Sequence, residues 1–485
     1  MILSLSRRIQ QKAQKLLVRL STTNAVGFGF TIGQVVYLLA LLYGADDTQM
    51  GLLYAAPFTT ALAVLFVPVL LNGRETTAIW SSFWWLRAAL CLSYFGLPWI
   101  AAAHTRVWVF ILIYYLFMSA RAIGMAGYYP VFKALAAPRE QPSMMARTLM
   151  FGQFGVLFAQ VVSFLILTFN ATGSEEHNLY LLLGIGMVFN ALTAALIGRL
   201  PRTGYLDEGG MRNLFRTAKV MLRRPEYREV AVLTALQAAM SVFAGYLISY
   251  LRNIENFSGG EIFMFTVVGL LGAIAIANMQ RIVGRHIRSR VMLFVSHGVL
   301  ALLGLVGALV PLQPALVGNR WIIALIYGIT AIGLTASTTV VLQLRTGRLP
   351  DRNPVEFSIC FDMAQALGAV VAILCVRFVA VPLVAQFSQL HTYSPAFLLW
   401  TLTCLGVCLL TLLMTPENSG GFRQELTALL PSNLFTIFRA HRLDRDDNFV
   451  RRQLALEGLL QNPGQVSREL ILENLRSPDN GVRKT

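Results

Sequence analysis

The sequence predicts an all-α polytopic membrane protein, with twelve transmembrane helices in two six-helix pseudo-symmetric halves and a short cytoplasmic helical tail. Three observations predict it: an apolar composition, a regular series of long apolar stretches, and a one-sided distribution of charge. Of the 485 residues, 56% are hydrophobic and only 13% are charged, about half of what a soluble domain carries. A single soluble core does not hide that much apolar surface. The composition therefore excludes a water-soluble enzyme, a disordered chain and a disulfide scaffold.

Twelve mostly apolar stretches approach the roughly 20 residues that a helix needs to cross a bilayer. Their approximate limits are 22–43, 49–71, 80–102, 107–128, 148–169, 179–198, 230–251, 262–280, 291–311, 321–343, 357–379 and 393–414. The longest break between them divides the series into six plus six. The predicted parts are a segment 1–21, a first half 22–198, a central loop 199–229, a second half 230–415 and a polar tail 416–485.

The basic residues behind the net charge of +16 lie mostly on one side of the membrane if the N-terminus is cytoplasmic. The inside segments then hold 34 of the 40 Lys and Arg residues, whereas the outside segments are net acidic. An excess of basic residues in cytoplasmic loops is the positive-inside rule. We therefore expect a multi-pass protein of the cell membrane (a bacterial inner, cytoplasmic membrane) with both termini in the cytoplasm. The charge is a topology signal, and no nucleic-acid partner is expected.

The first segment and the cysteines exclude several other kinds of protein. Residues 1–21 carry five basic side chains that interrupt any signal-peptide core, which leaves an interfacial helix or a loosely ordered basic tail. All five cysteines fall inside predicted spans without metal-ligand spacing. No cofactor, structural disulfide or metal site is expected, and no nucleotide loop or catalytic triad indicates an enzyme.

The span count, the 6+6 split, the inside termini and the basic loops after spans two and eight make residues 20–415 resemble the major facilitator superfamily. The loops read LNGRET (71–76) and QRIVGRHIRSR (280–290), degenerate forms of the family motif that lack its Asp. The resemblance implies transport by alternating access, with gating roles for Arg281 and Arg285. It also implies that spans five and eight meet between the halves.

Small residues recur on one face of three spans. The sets are Gly152, Gly155 and Ala159 in the fifth span, Gly269, Gly272, Ala273 and Ala277 in the eighth, and Ala364, Gly368 and Ala372 in the eleventh. Such faces let membrane helices approach closely. We expect the first two sets to suit the contact between spans five and eight, and to hint at repeat symmetry.

A charge inside hydrocarbon is costly, so Arg121 in the fourth span is a functional candidate. Helical spacing places it on one face with Tyr114, Met118, Met125 and Tyr128. In the resembled fold, spans 1, 4, 7 and 10 line the central cavity, so Arg121 is expected there, holding an anionic group or pairing with an acid. The alternative is a structural arginine that caps loop carbonyls.

Uncharged polar residues complete the predicted substrate site. They are Thr31 and Gln34 in the first span, Gln237 in the seventh and Tyr327 in the tenth. Polar side chains in membrane helices also bind neighbouring helices, which is the competing interpretation for each. Together with Arg121 they describe a cavity that is polar, poor in charge and suited to a substrate with a negative group.

Three further charges lie within spans. Asp362 is the one acid among them, and it is interpreted either as a proton-coupling carboxylate or as a structural partner of an arginine such as Arg345 or Arg352. Arg87 and Arg377 are interpreted as anchors whose long side chains reach the membrane surface.

The tail reads DDNFVRRQLALEGLLQNP (446–463) and then VSRELILENLRSPDNGVRKT (466–485), which resembles a HEAT-type helical repeat. Such repeats usually need about three copies to bury a core. The chain is therefore expected to be a fragment of a longer protein, or the tail to dock on the membrane part or on a cytoplasmic protein partner.

Three functions remain open from the sequence. The leading one is a secondary transporter that moves a small solute, anionic or polar, by alternating access. The second is a lipid or lysolipid flippase of the same fold, and the third is a non-transporting scaffold or sensor that acts through its tail. The expected partners are a small-molecule substrate and membrane lipids.

Overall fold

The computed structural model describes residues 7–67, 73–135, 141–204, 210–283, 289–309, 319–348, 354–386 and 393–414. Nearly all of these residues are helical, and ten of the helices they form are long and apolar enough to cross a membrane. The predicted all-α polytopic membrane fold is confirmed. The tail 416–485, with its HEAT-like pattern and its predicted protein partner, lies outside the described residues.

The described residues of the first half form seven α-helices in chain order. They are α1 (Arg7–Thr31), α2 (Gln34–Leu42), α3 (Asp47–Thr59), α4 (Thr76–Tyr94), α5 (Ala103–Leu135), α6 (Gln141–Thr168) and α7 (Glu175–Gly198). A 3₁₀ segment, Thr60–Phe66, continues α3 to the end of the second span. Capping residues set where two of these helices begin. Asp46 and Gln49 form a reciprocal capping box at the start of α3, and Ser174 caps the start of α7.

The second half follows an amphipathic connecting helix, α8 (Gly210–Arg223). Its helices are α9 (Pro225–Asn253), α10 (Gly259–Val283), α11 (Ser289–Leu309), α12 (Arg320–Arg348), α13 (Pro354–Cys375), α14 (Val381–Gln386) and α15 (Ser394–Leu413). A π-helical turn, Val376–Ala380, joins α13 to α14 within the eleventh span. Proline occupies the first turn of α9 and of α15, where its missing N–H is no loss.

The first span is broken in its middle. Gly33 adopts φ 77°, a left-handed conformation that favours glycine, and it separates α1 from α2. A methyl group added at Gly33 would meet no neighbour within 4 Å. Broken membrane helices occur where the backbone lines a cavity or is buried in protein, so the first span does not face lipid at this break.

Residues 7–21 are continuous with the first span. They form the first turns of α1, where Ala13 and Leu17 are buried and Gln14 Nε2 donates a 2.8 Å hydrogen bond to the carbonyl of Leu135 in α5. This stretch is therefore neither a separate interfacial helix nor a loose tail, because its apolar side packs on the end of the first half.

Each half has its own packing, and several helix contacts join the halves. In the first half α1 packs on α6 and α7, and α4 on α5 and α7; in the second, α9 packs on α13 and α11 on α15. Between the halves, α6 contacts α10, and α3 contacts both α9 and α13. The expected meeting of spans five and eight is confirmed.

The small faces serve other contacts than the one expected. A Cβ on Gly155 would lie 2.6 Å from the carbonyl oxygen of Thr22 in α1, and one on Gly368 would meet the backbone of Ala235 in α9. Gly272 lies against Ile332 of α12. The expectation that these faces join spans five and eight is wrong: α6 packs on α1 as α13 packs on α9, so the repeat relates span five to span eleven.

A tyrosine column closes the contact between the halves on the predicted outer side. We use this name for Tyr37, Tyr54, Tyr246, Tyr250 and Tyr393, whose rings meet in successive pairs. Tyr54 and Ser249 share a 2.7 Å hydrogen bond, and Tyr246 donates to the carbonyl of Asp47 at 3.0 Å. The described conformation is thus held together on the side away from the basic loops.

Candidate functional site

Arg121 lies on α5 beside two neighbouring helices. Its side chain is half-buried, and its guanidinium carbon is 5.1 Å from the centroid of the Phe28 ring in α1. Phe117 lies one turn before it and Gly124 almost one turn after it. A Cβ on Gly124 would lie 2.7 Å from the Trp84 ring, so Arg121 is flanked by the contact between α5 and α4.

Arg87 is the residue that the sequence interpretation placed wrongly. It is completely buried, so it is not an anchor at the membrane surface. Its guanidinium carbon lies 4.7 Å from the ring centroids of both Trp84 and Phe117, and none of its three side-chain nitrogens has a hydrogen-bond partner among the described residues. The positive charge of Arg121 repels the positive charge of Arg87. The position of Arg87 along the span does not tell which way the helix is rotated about its axis. In the structure this rotation points the Arg87 side chain inward, toward α5.

The ring that covers Arg87 is itself held in place. Trp84 Nε1 donates a 2.9 Å hydrogen bond to Asn24 Oδ1 of α1, and Gly124 allows α5 to approach the ring closely. Three helices of the first half therefore position one aromatic wall of the site. In the described first half the acidic residues lie at helix ends and in loops, at Asp46, Asp47, Glu75, Glu175 and Glu176. The two arginines thus create a positive region.

Two predicted site residues meet across the halves. Gln34 Nε2 donates to the hydroxyls of Thr266 at 3.2 Å and Tyr327 at 3.3 Å, and these two hydroxyls lie 3.0 Å apart. Gln34 is the first residue after the break at Gly33, so the break turns it toward the second half. The first, eighth and tenth spans share this polar contact.

Gln237 is the centre of a second polar cluster, within the second half. Its amide nitrogen donates to Thr338 at 3.2 Å, and its carbonyl oxygen lies 3.1 Å from His297 Nε2. Ser337 contacts both His297 and Gln237. His297 Nδ1 lies 2.9 Å from the carbonyl of Leu293. His297 was missed from the sequence, although an ionisable side chain inside a span is itself a signal.

The remaining predicted substrate residues lie in helix contacts. Thr31 is fully buried, donates to the carbonyl of Gly27 at 2.8 Å and faces α7, where Asn190 donates to it. Tyr114 is fully buried in the main core. Tyr128 packs on Trp80 in a cluster toward the predicted inner side. The structure does not bring these three together with Gln34 or Gln237.

The predicted gating and coupling residues are only partly described. Asp362 accepts a 2.6 Å hydrogen bond from Arg345 in an ion pair, and Arg345 also donates to Gln365 at 3.2 Å. This is the arrangement that the structural interpretation of Asp362 expects. Arg281 belongs to α10, but its side chain is outside the description, and Arg285 lies wholly outside the described residues.

Comparisons with known proteins agree with this architecture. Residues 20–373 match the family profile described as Major Facilitator Superfamily. A POT family transporter in complex with 5-aminolevulinic acid has a TM-score of 0.60 at 12% identity, covering 84% of this chain and 97% of its own. The nucleoside transporter NupG has a TM-score of 0.53 at 13% identity, covering 84% of this chain and 100% of its own.

A third solved structure, a mutant of the E. coli fucose:proton symporter FucP, has a TM-score of 0.53 at 14% identity, covering 83% of this chain and 98% of its own. A comparison with curated protein sequences gave no match. The family match over more than half of the chain indicates a secondary transporter and not an enzyme. The chain belongs to the Major Facilitator Superfamily.

Proposed function

We propose that the protein moves a small anionic solute across the cell membrane by alternating access, with Arg121 holding the anionic group. The observation that carries the proposal is a half-buried arginine on the fourth span, whose guanidinium lies over the Phe28 ring of α1. A guanidinium at membrane depth attracts negative charge, and a transported anion supplies it. Polar groups from both halves, Gln34, Thr266 and Tyr327, lie between the spans that would move apart.

The proposed cycle starts from the described conformation. The tyrosine column joins the halves on the predicted outer side, so the anion would enter or leave from the side of the basic loops. Opening of the outer side would separate Asp47 from Tyr393, which now donates to its carboxylate at 3.1 Å. Gating by Arg281 and Arg285 and the cytoplasmic position of both termini belong to this proposal, whereas Asp362 serves structure as the partner of Arg345.

The experiment is anion uptake into proteoliposomes that contain the purified full-length protein. Radiolabelled lactate, succinate and inorganic phosphate are the probes, and Arg121→Ala is compared with Arg121→Lys. We expect the alanine variant to lose uptake of every anion that the wild type accepts, and the lysine variant to keep part of it. Arg377→Ala is the matched control, because Arg377 is an exposed arginine of the eleventh span. Undiminished uptake by a folded Arg121→Ala protein would remove Arg121 from the site.

A further inference from the structure

Arg87 is a fully buried cation in the middle of α4, held by two aromatic rings. The rings of Trp84 and Phe117 each lie 4.7 Å from its guanidinium carbon. A guanidinium presents five N–H donors in its plane, and the faces of aromatic rings attract its charge without accepting these donors as an oxyanion would. In the described residues none of its nitrogens has an acceptor. The N–H groups of Arg87, which bind an oxyanion strongly, are therefore unused in this conformation.

Burying the charge of Arg87 without a hydrogen-bond acceptor is energetically unfavourable, which indicates that Arg87 has a partner in another state of the protein. A buried charge is destabilising unless it is paired and hydrogen-bonded, and the nearby positive charge of Arg121 adds repulsion. An arginine that only filled space between α4 and α5 could be replaced by an apolar residue at no loss. None of the described ion pairs involves Arg87, so the counter-charge is expected from a bound molecule.

Arg87 and Arg121 lie on two helices that pack against each other, α4 and α5. Phe117, which covers Arg87, precedes Arg121 by one helical turn, and Trp84 lies against Gly124, three residues after Arg121. Arg87 therefore lies within the α4–α5 contact, and Arg121 leaves α5 one turn from the ring that covers Arg87. Arg121, which is half-buried, would meet an anion first, and Arg87 would reach it once the contact loosens.

We propose that Arg87 is a second binding residue for the anion that Arg121 holds, so that the transported solute carries two negative charges. This inference rests on the proposed function and narrows its substrate class from anions to dianions, such as a phosphate group or a dicarboxylate. Two arginines favour a dianion over a monoanion, because only the dianion offers each guanidinium a negative group of its own. The aromatic contacts hold Arg87 ready while the site is empty.

The experiment measures binding to the purified full-length protein by thermal stabilisation and by competition against the best anion of the uptake panel. The probes are inorganic phosphate above pH 8 and succinate as dianions, with lactate as the monoanion, at matched ionic strength. The variants are Arg87→Gln, Arg87→Lys and Arg87→Met, with Arg377→Gln as the control. Dianions should bind the wild type at least about tenfold more tightly than lactate, and Arg87→Gln should remove most of that preference while lactate binding changes little.

A second measurement separates binding from structure. Because Arg87 has no hydrogen-bond acceptor among the described residues, Arg87→Met should melt at the same temperature as the wild type or higher when no anion is present. A purely structural arginine gives the opposite result, a lower melting temperature with the dianion preference unchanged, and that result would overturn the inference. If Arg121→Ala abolishes binding while Arg87→Gln leaves the preference intact, the inference fails and the proposed function stands. If none of the probes binds the wild type, both fail.

Discussion

The ring of Tyr54 packs directly on Gly245 of the opposite half, so that a methyl group added to Gly245 would lie 2.6 Å from the ring carbon Cγ. The contact is reciprocal, because the hydroxyl of Tyr246 lies over Gly51 in the same way. Two glycines thus let α3 and α9 approach closely at the tyrosine column. The contact between the halves on the outer side therefore requires glycine, which has no side chain, at both Gly51 and Gly245.

Gly245→Ala should therefore weaken the outer closure. The added methyl displaces the Tyr54 ring and its 2.7 Å hydrogen bond to Ser249, which favours conformations in which the halves separate on that side. Spin labels at Trp99→Cys and Trp321→Cys, two exposed outer positions on different halves, should report a longer distance. The labelling background carries Cys375→Ser, because the other four cysteines are buried.

Gly406→Ala is the matched control for this substitution, since a Cβ at Gly406 meets nothing within 4 Å. It should leave the distance between the labels unchanged. An unchanged distance in Gly245→Ala as well would mean that the Tyr54–Gly245 contact does not hold the outer side closed.

The ion pair between Arg252 and Glu175 is a second outer contact between the halves. Arg252 donates to the Glu175 carboxylate at 2.7 Å, and both side chains are partly exposed. Pairs of this kind contribute up to about 1 kcal/mol and weaken with salt. Glu175→Gln should lengthen the same label distance slightly at low salt, and the exchange Glu175→Arg with Arg252→Glu should restore it. A salt-independent effect would contradict an electrostatic cause.

The sequence predicts the fold well because span number depends on composition, whereas site geometry depends on helix rotation. Thr31 and Gln34 share a face in a continuous helix, but the break at Gly33 turns Thr31 toward α7 and Gln34 toward Thr266 and Tyr327. The position of Arg87 was not predictable in this way, because its depth along the span fits an anchor as well as a buried cation. Rotation of this kind is set by packing between distant helices.

The cluster around Gln237 should behave as one unit in stability measurements. His297 and Ser337 are fully buried and contact each other at 3.0 Å, and both contact Gln237. Loss of either partner leaves a buried polar group unsatisfied, which costs about 1–3 kcal/mol. His297→Ala and Ser337→Ala should each lower the melting temperature in detergent, and the double variant should lose less than the sum of both. Strict additivity would show that the two side chains act independently.

Asp362→Asn tests the two interpretations of the acid in the eleventh span. Its carboxylate pairs with Arg345 at 2.6 Å, and the two side chains are only 25% and 13% exposed, respectively. Removing one partner of a shielded pair leaves an uncompensated charge, so Asp362→Asn should destabilise the protein, and adding Arg345→Met should recover part of the loss. We expect uptake by the double variant to respond to an imposed proton gradient as the wild type does, because the pair serves structure. If both proteins are stable and only the gradient response disappears, Asp362 is the coupling carboxylate and the structural interpretation is wrong.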